Sequence, residues 1–176
     1  MMNIVLHEPE IPANTGNIGR TCVATNTVLH LIEPLGFKTD EKSLKRAGLD
    51  YWEKLNVKIH HRYSDFLREF DADAGEHAGA QKEPPRIWYA TTKAKRAYTD
   101  VSFGPDDYIM FGGESCGIPE EILIDNESTC IRIPMVPDNR SLNLSNSVAI
   151  ILYEALRQQG FSGLEQAGKL HRLSWK

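Results

Sequence analysis

"YIMFGGESCGIPEEIL", residues 108–123, packs an apolar run, a glycine-rich turn and the opening of a helix into sixteen residues. The run is short and apolar on both sides of its alternation. It therefore predicts an interior strand of a parallel sheet, where both faces are covered. Strand, tight turn and helix in that order are the repeating unit of an α/β fold. The turn carries Gly112, Gly113 and Gly117, and glycine lets backbone approach a ligand closely. The helix expected to begin at Pro119 adds an N-terminus, which favours polar or anionic groups. Glu114 is an unusual residue for a phosphate-binding turn. It suits a cationic ligand or an arginine held in place.

Similar units lie on either side. "NIVLH" (3–7), "VLHLIE" (28–33), "VKIH" (57–60), "IWYATT" (87–92) and "CIRIP" (130–134) read as strands. Between them, Asn14 is expected to cap a helix through about Asn26, and Asp40 a short helix through Ala47 ended by Gly48. "SDFLREF" is expected to open on a Ser64 cap and carries Phe66, Leu67 and Phe70 at helical spacing. A long helix should end at Gly160. The pattern predicts one α/β domain over residues 1–176, with a mostly parallel sheet and flanking helices. "DADAGEHAGAQKEPP" (71–85) breaks it, with much Ala, Gly and charge and no large apolar residue. It is expected as a flexible surface insertion without a catalytic part. The tail after about residue 160 has no assignment.

Composition narrows the function classes. A hydrophobic fraction of 41% and a charged fraction of 25% are those of a soluble globular chain. No apolar run approaches the roughly 20 residues that cross a bilayer, so no membrane association is expected. The N-terminus lacks a basic stretch followed by an apolar one, so no secretion signal is read. The three cysteines (Cys22, Cys116, Cys130) are widely spaced with no CxxC pair. That pattern fits a reducing cytoplasm and no metal site. The net charge of −4 argues against a protein that coats nucleic acid along its whole surface. Any RNA contact must use local clusters such as "KSLKR" (42–46), "KAKR" (93–96) and the tail "KLHRLSWK".

A dinucleotide-binding fold would put G-x-G-x-x-G after the first strand. "HEPEIPANTGNIG" supplies only Gly16 and Gly19, so the fingerprint is incomplete. A second polar turn, "IPMVPDNRSLNLSN", follows the last strand. Any one of Ser141, Asn143 and Ser145 can cap the helix behind it, but only one residue occupies an N-cap. The other short polar side chains need another purpose. Two neighbouring strands ending in such loops read as a ligand lining.

"NTGNIGR" (14–20), "FGGESCGIP" (111–119) and "IPMVPDNRSLNLSNSVA" together resemble the three signature motifs of the SPOUT methyltransferases, in the same order. "NIVLHEPEIPANTGNIGRTC", "RAGLDYW" and "RIPMVPDNRSLNLSNSVAIILYEA" are most similar to the small tRNA (cytidine/uridine) 2′-O-methyltransferases of the anticodon wobble nucleotide. The resemblance spans the chain except residues 71–85 and the last dozen or so. It implies a deep C-terminal trefoil knot, S-adenosylmethionine (AdoMet) bound within it, and a homodimer with active sites at the subunit interface. It also implies a tRNA anticodon stem-loop as substrate. The cofactor positions then fall on Ala90, Thr91, Gly112, Ile133, Ser141 and Leu142. The catalytic positions fall on Arg20, Glu114, Ser141 and Asn143. A knotted RNA-binding protein without turnover, or a relative acting on another RNA, is the alternative.

One departure is Cys116, where the family often carries Arg, a candidate phosphate contact. The cysteine reads as a small space-filler, since methyl transfer to oxygen needs no thiol. The resemblance makes Arg20 the family's favoured actor, sometimes as a base, but guanidinium keeps its proton in proteins, so a clamp on phosphate and ribose is the role expected here. Glu114 is expected to hold Arg20, and Ser141 and Asn143 to orient the hydroxyl.

Overall fold

The computed structural model describes residues 1–37, 52–80 and 82–175. Strands are β1 (Asn3–His7), β2 (Val28–Ile32), β3 (Val57–His60), β4 (Ile87–Ala90), β5 (Tyr108–Gly112) and β6 (Cys130–Ile131). They form one sheet in the order β3-β2-β1-β5-β4-β6, with every pairing parallel. Helices are α1 (Pro12–Thr25), α2 (Tyr63–Gly79), α3 (Glu120–Ile124) and α4 (Leu144–Gln158). Among the described residues no helix is long and apolar enough to cross a membrane.

Side chains alternate between the faces of a strand, and both faces here are apolar. Register places Ile4 between Leu29 and Ile109, and Leu6 between Leu31 and Phe111. These residues share a core with Ile18 and Cys22 of α1 and Val148, Ile151, Leu152 and Ala155 of α4. Val5, Ile32, Tyr108 and Met110 point the other way, onto Phe66 of α2 and Leu123 of α3. Burial on both sides is why the strands read as unbroken apolar runs. Two polar rings are buried beside the second core. His30 Nδ1 lies 3.0 Å from His60 Nε2, and His30 Nε2 lies 3.3 Å from Asn3 Oδ1.

Several expected boundaries move. Helix α1 begins after Ile11 with Pro12 in its first turn, where a missing N–H costs nothing. Asn14 therefore lies inside the helix and is not its cap. Helix α2 begins after Arg62, one residue before the expected Ser64 cap. The supposed loop at 71–85 is helical as far as Gly79. Two contacts anchor it: Tyr108 donates its hydroxyl hydrogen to Asp73, and His77 Nε2 lies 3.0 Å from Asp106 Oδ2. Asp106 also pairs with the Met1 ammonium. Strand β6 keeps only two residues of "CIRIP" in regular pairing. The expected helix from Asp40, the basic run 42–46 and most of "RAGLDYW" lie outside the described residues.

Candidate active site

The C-terminal ends of β4, β5 and β6 open into one cavity of about 760 Å³. Strands β5 and β6, expected as neighbours, are separated by β4, so three strand ends supply the walls. Of the residues singled out in the sequence, Ala90, Thr91, Gly112, Glu114, Ile133, Ser141, Leu142 and Asn143 line this cavity. Arg20 does not.

The glycine turn folds onto itself. A Cβ on Gly112 would sit 1.9 Å from the Gly117 carbonyl carbon and 2.1 Å from the Ile118 nitrogen. One on Gly113 would meet the Glu8 carbonyl oxygen at 2.6 Å. Both glycines thus serve chain-on-chain contact, a different reason from the ligand approach expected of them. Gly117, at φ 69°, takes the left-handed conformation that closes the turn.

Hydrogen bonds tie the three motifs together. Glu114 accepts from the backbone N–H of Glu10 (2.8 Å) and Ile11 (3.3 Å), and from Asn14 Nδ2 (2.8 Å). Glu10 answers by accepting from the N–H (3.0 Å) and hydroxyl (2.5 Å) of Ser115. Those two bonds hold its carboxyl below the usual range. Asn14 Oδ1 accepts from Asn143 Nδ2 at 3.0 Å. Asn143 is the N-cap of α4, its Oδ1 accepting from the N–H of Ser145 (2.9 Å) and Asn146 (3.3 Å).

The Ser/Asn run thus has two jobs. Asn143 caps and clasps, while Ser141 and Leu142 face the cavity. Glu114 spends its oxygens on residues 10, 11 and 14 and does not hold Arg20, which corrects the expected pairing. Arg20 lies six residues beyond Asn14, about 240° around a helix of 3.6 residues per turn. Asn14 is buried and Arg20 exposed. Cys116 is exposed on the cavity rim and fills no space.

Glu10 and Ser115 escaped the sequence reading, and Asn14 entered it only as a helix cap. Asn14 and Ser115 lay within motifs quoted for other residues, and nothing in local spacing announces partners some hundred residues away. Arg140 and Lys93 also line the cavity. The Lys93 ammonium pairs with Glu120 at 2.8 Å. Among the described residues, no group of His, Cys, Asp or Glu is placed to hold a metal ion.

A profile of the SpoU rRNA methylase family matches residues 1–153. The chain belongs to this family. It is 52% identical over 165 residues to the tRNA (cytidine(34)-2′-O)-methyltransferase of Photorhabdus asymbiotica, covering 93% of this chain and 97% of that one. The enzyme of the same name from Escherichia coli is 50% identical, with the same shares of each chain covered. Among solved structures, a Bacillus anthracis protein assigned as an RNA methyltransferase is 44% identical, with a TM-score of 0.84 over 96% of this chain and all of its own. A second, from work on 2′-OH methylation of C/U34 on tRNA, is 37% identical with a TM-score of 0.79, covering 92% and 97%. In this chain the clasp of residues 10, 14, 114 and 143 joins all three motifs at the strand ends.

Proposed function

We propose that this chain is an AdoMet-dependent tRNA 2′-O-methyltransferase acting on the wobble nucleotide, cytidine or a modified uridine at position 34. The observation that carries this reading is the single cavity built from all three motifs, with Arg20 outside it. Relatives at about half identity bear that activity in their names.

The cavity fits AdoMet. Its volume lies within the 300–1,000 Å³ range of small-ligand sites. Ile131, Ile133 and Leu142 offer apolar walls for an adenine, and Thr91 and Ser141 offer hydroxyls. Glu114 sets a carboxylate beside a cationic ligand. Ala90, Thr91, Gly112, Ile133, Ser141 and Leu142 are the residues that would hold it. When bound, AdoMet supplies an electrophilic methyl group, so no protein nucleophile is needed.

The chain's own residues then position the ribose and manage one proton. Ser141 presents a hydroxyl at the cavity wall that can hydrogen-bond the 2′-OH. Asn143 has both ends of its amide committed and fixes the wall on which Ser141 stands. Arg20 clamps phosphate and ribose with its planar fork, and the 2′-OH proton leaves to a phosphate oxygen or water. Holding the hydroxyl in line with the methyl group lowers the barrier by making the encounter effectively intramolecular.

Arg20 is not among the residues that line its own subunit's cavity, and a second copy can bring it to the neighbour's. The reading therefore includes a homodimer, with α1 and α4 at the interface and each site completed by the partner's arginine. It also includes the trefoil knot. Residues 131–132 run between two segments: Thr91 N–H donates to Ile131 on one side, and Arg132 exchanges hydrogen bonds with Arg96 and Tyr98 on the other. A chain acting on tRNA in this way works in the cytoplasm. Calorimetry with AdoMet, followed by nucleoside mass spectrometry of tRNA incubated with the protein, tests the whole reading. Nicotinamide binding without AdoMet heat, or tRNA left unmodified at position 34, overturns it.

A further inference from the structure

Helix α4 runs from the cavity, at the C-terminal ends of the strands, towards their N-terminal ends. Leu144 and Ser147 line the cavity. At its other end the Gln158 side chain accepts from Phe103 N–H and donates to the Val101 carbonyl, and Gln159 donates to Gly104. Gly104 precedes β5, so α4 ends where the strands begin. Fifteen residues of helix separate the two by about 20 Å. Phe161 and Leu164 pack on the core there, and Gln166 bonds back to the Gly160 carbonyl.

The chain beyond has a different character. Lys169, His171, Arg172, Leu173 and Trp175 are all exposed, Leu173 at 75% and Trp175 at 73%. Residues 161–176 hold three Lys/Arg and one Asp/Glu, in a chain whose net charge is −4. Among the described residues, Lys169 and Arg172 make no hydrogen bond or ion pair. Two uncommitted cations with a solvent-facing indole are a poor core but a good nucleic-acid contact. Cations neutralise phosphates, and an exposed aromatic ring stacks on a base regardless of its identity.

We propose that residues 169–175 form a second tRNA contact, remote from their own subunit's cavity, in which Lys169 and Arg172 meet the phosphate backbone and Trp175 stacks on an unpaired base. This rests on the proposed tRNA substrate. It gives an acidic protein a second positive surface besides Arg140 at the cavity, where Lys93 is paired with Glu120. The segment adds affinity for the RNA and takes no part in the methyl transfer.

The test uses the full chain with Lys169→Ala plus Arg172→Ala, and separately Trp175→Ala. These residues are exposed, so the fold should be kept, and AdoMet calorimetry checks it. Affinity for an unmodified tRNA transcript is measured by fluorescence anisotropy across a salt series, alongside steady-state methylation. The double variant should flatten the salt dependence by about 0.7 to 0.9 per removed phosphate contact. Trp175→Ala should weaken tRNA binding about tenfold, the low end of what a stacked base contributes. KM for tRNA should rise in both, with kcat unchanged. Unchanged affinity and salt slope overturn the proposal. So does a loss of dimer in sedimentation, which would make the segment a subunit contact. If the protein binds tRNA but methylates none, the proposed activity fails while the anisotropy still judges the segment.

Discussion

Asn143 donates its side-chain N–H to the Asn14 side-chain oxygen Oδ1 at 3.0 Å, joining the start of α4 to the first turn of α1. Asn14 then donates to Glu114 at 2.8 Å, so one buried amide joins the glycine turn to the last motif. An amide fits because it donates at one end and accepts at the other.

Asn14→Ala should cost about 1–3 kcal/mol, since it leaves the Asn143 side-chain donor without its partner and takes one of three donors from Glu114. Asn14→Asp should cost more, because it turns the donor facing Glu114 into a second carboxylate. Urea unfolding of both variants checks the order. An aspartate variant as stable as the parent would show that Glu114 does not need that donor.

Gly112→Ala places a methyl inside the backbone of residues 117 and 118. The turn must shift, at about 1–3 kcal/mol for forced overpacking, and the cavity wall shifts with it. The melting temperature should fall and the AdoMet heat should disappear in calorimetry. Full AdoMet binding by this variant would mean that the turn does not shape the site.

Arg20→Ala should abolish methylation and leave AdoMet affinity nearly unchanged, because the clamp role puts Arg20 on the RNA side of the site and it lines no part of its own cavity. Arg20→Lys should also fail, since a point ammonium cannot reproduce a planar fork. Mixing Arg20→Ala with a variant inactive at Glu114 should restore part of the activity if each site borrows the partner's arginine. No recovery in the mixed dimer would place Arg20 with its own subunit's site.

Much of this was legible in the sequence because it depends on local pattern. Double-sided burial leaves apolar runs at β1, β2, β4 and β5, and six strand-like runs separated by helical spacing imply the parallel sheet. The helix over residues 71–79 was not legible. It has no large apolar face, and its anchors, Asp73 and His77, meet Tyr108 and Asp106 from about thirty residues away. Asn14 was misread for a related reason: an asparagine ahead of an apolar helix looks like a cap. Here Pro12 starts the helix, and the amide turns to the partner motifs. The sheet order was equally hidden, since nothing in the sequence says that β4 separates β5 from β6.

Acid should unfold the protein through the buried histidine pair. Burial first, then the nearby charges of His60 and Lys58, push His30 down to about 3. Burial also lowers His60, against the upward pull of Glu69. With Nε2–H donating to Asn3, His30 Nδ1 accepts from His60, so a proton on His30 would set N–H against N–H. The unfolded chain takes up that proton near pH 6.5 and the folded chain only near 3. Stability should therefore be constant on this account above pH 6.5 and fall progressively as the pH drops from 6.5 towards 3. His30→Gln should flatten that limb in urea titrations at stepped pH. An acid limb unchanged by the substitution would assign the loss to carboxylates alone.

The last prediction concerns the outer face of α4. Within "VAIILY" (148–153), Val148, Ile151 and Leu152 are buried against the sheet, whereas Ile150 is 37% exposed and Tyr153 46%. A solvent-facing helix surface is normally polar, and α1 beside it presents Arg20 on its own exposed side. A second copy pressed on this face would cover Ile150 and Tyr153. The same contact would deliver each Arg20 to the neighbour's cavity. Tyr153→Asp sets an unpaired charge into that contact, and an uncompensated buried charge costs about 3–5 kcal/mol. The variant should sediment as a monomer at concentrations where the parent is a dimer, and methylation should fall with the dimer fraction. AdoMet heat should persist, because Tyr153 is not part of the cavity lining. A fully active monomer would separate catalysis from this face and leave Arg20 without a route to a second subunit.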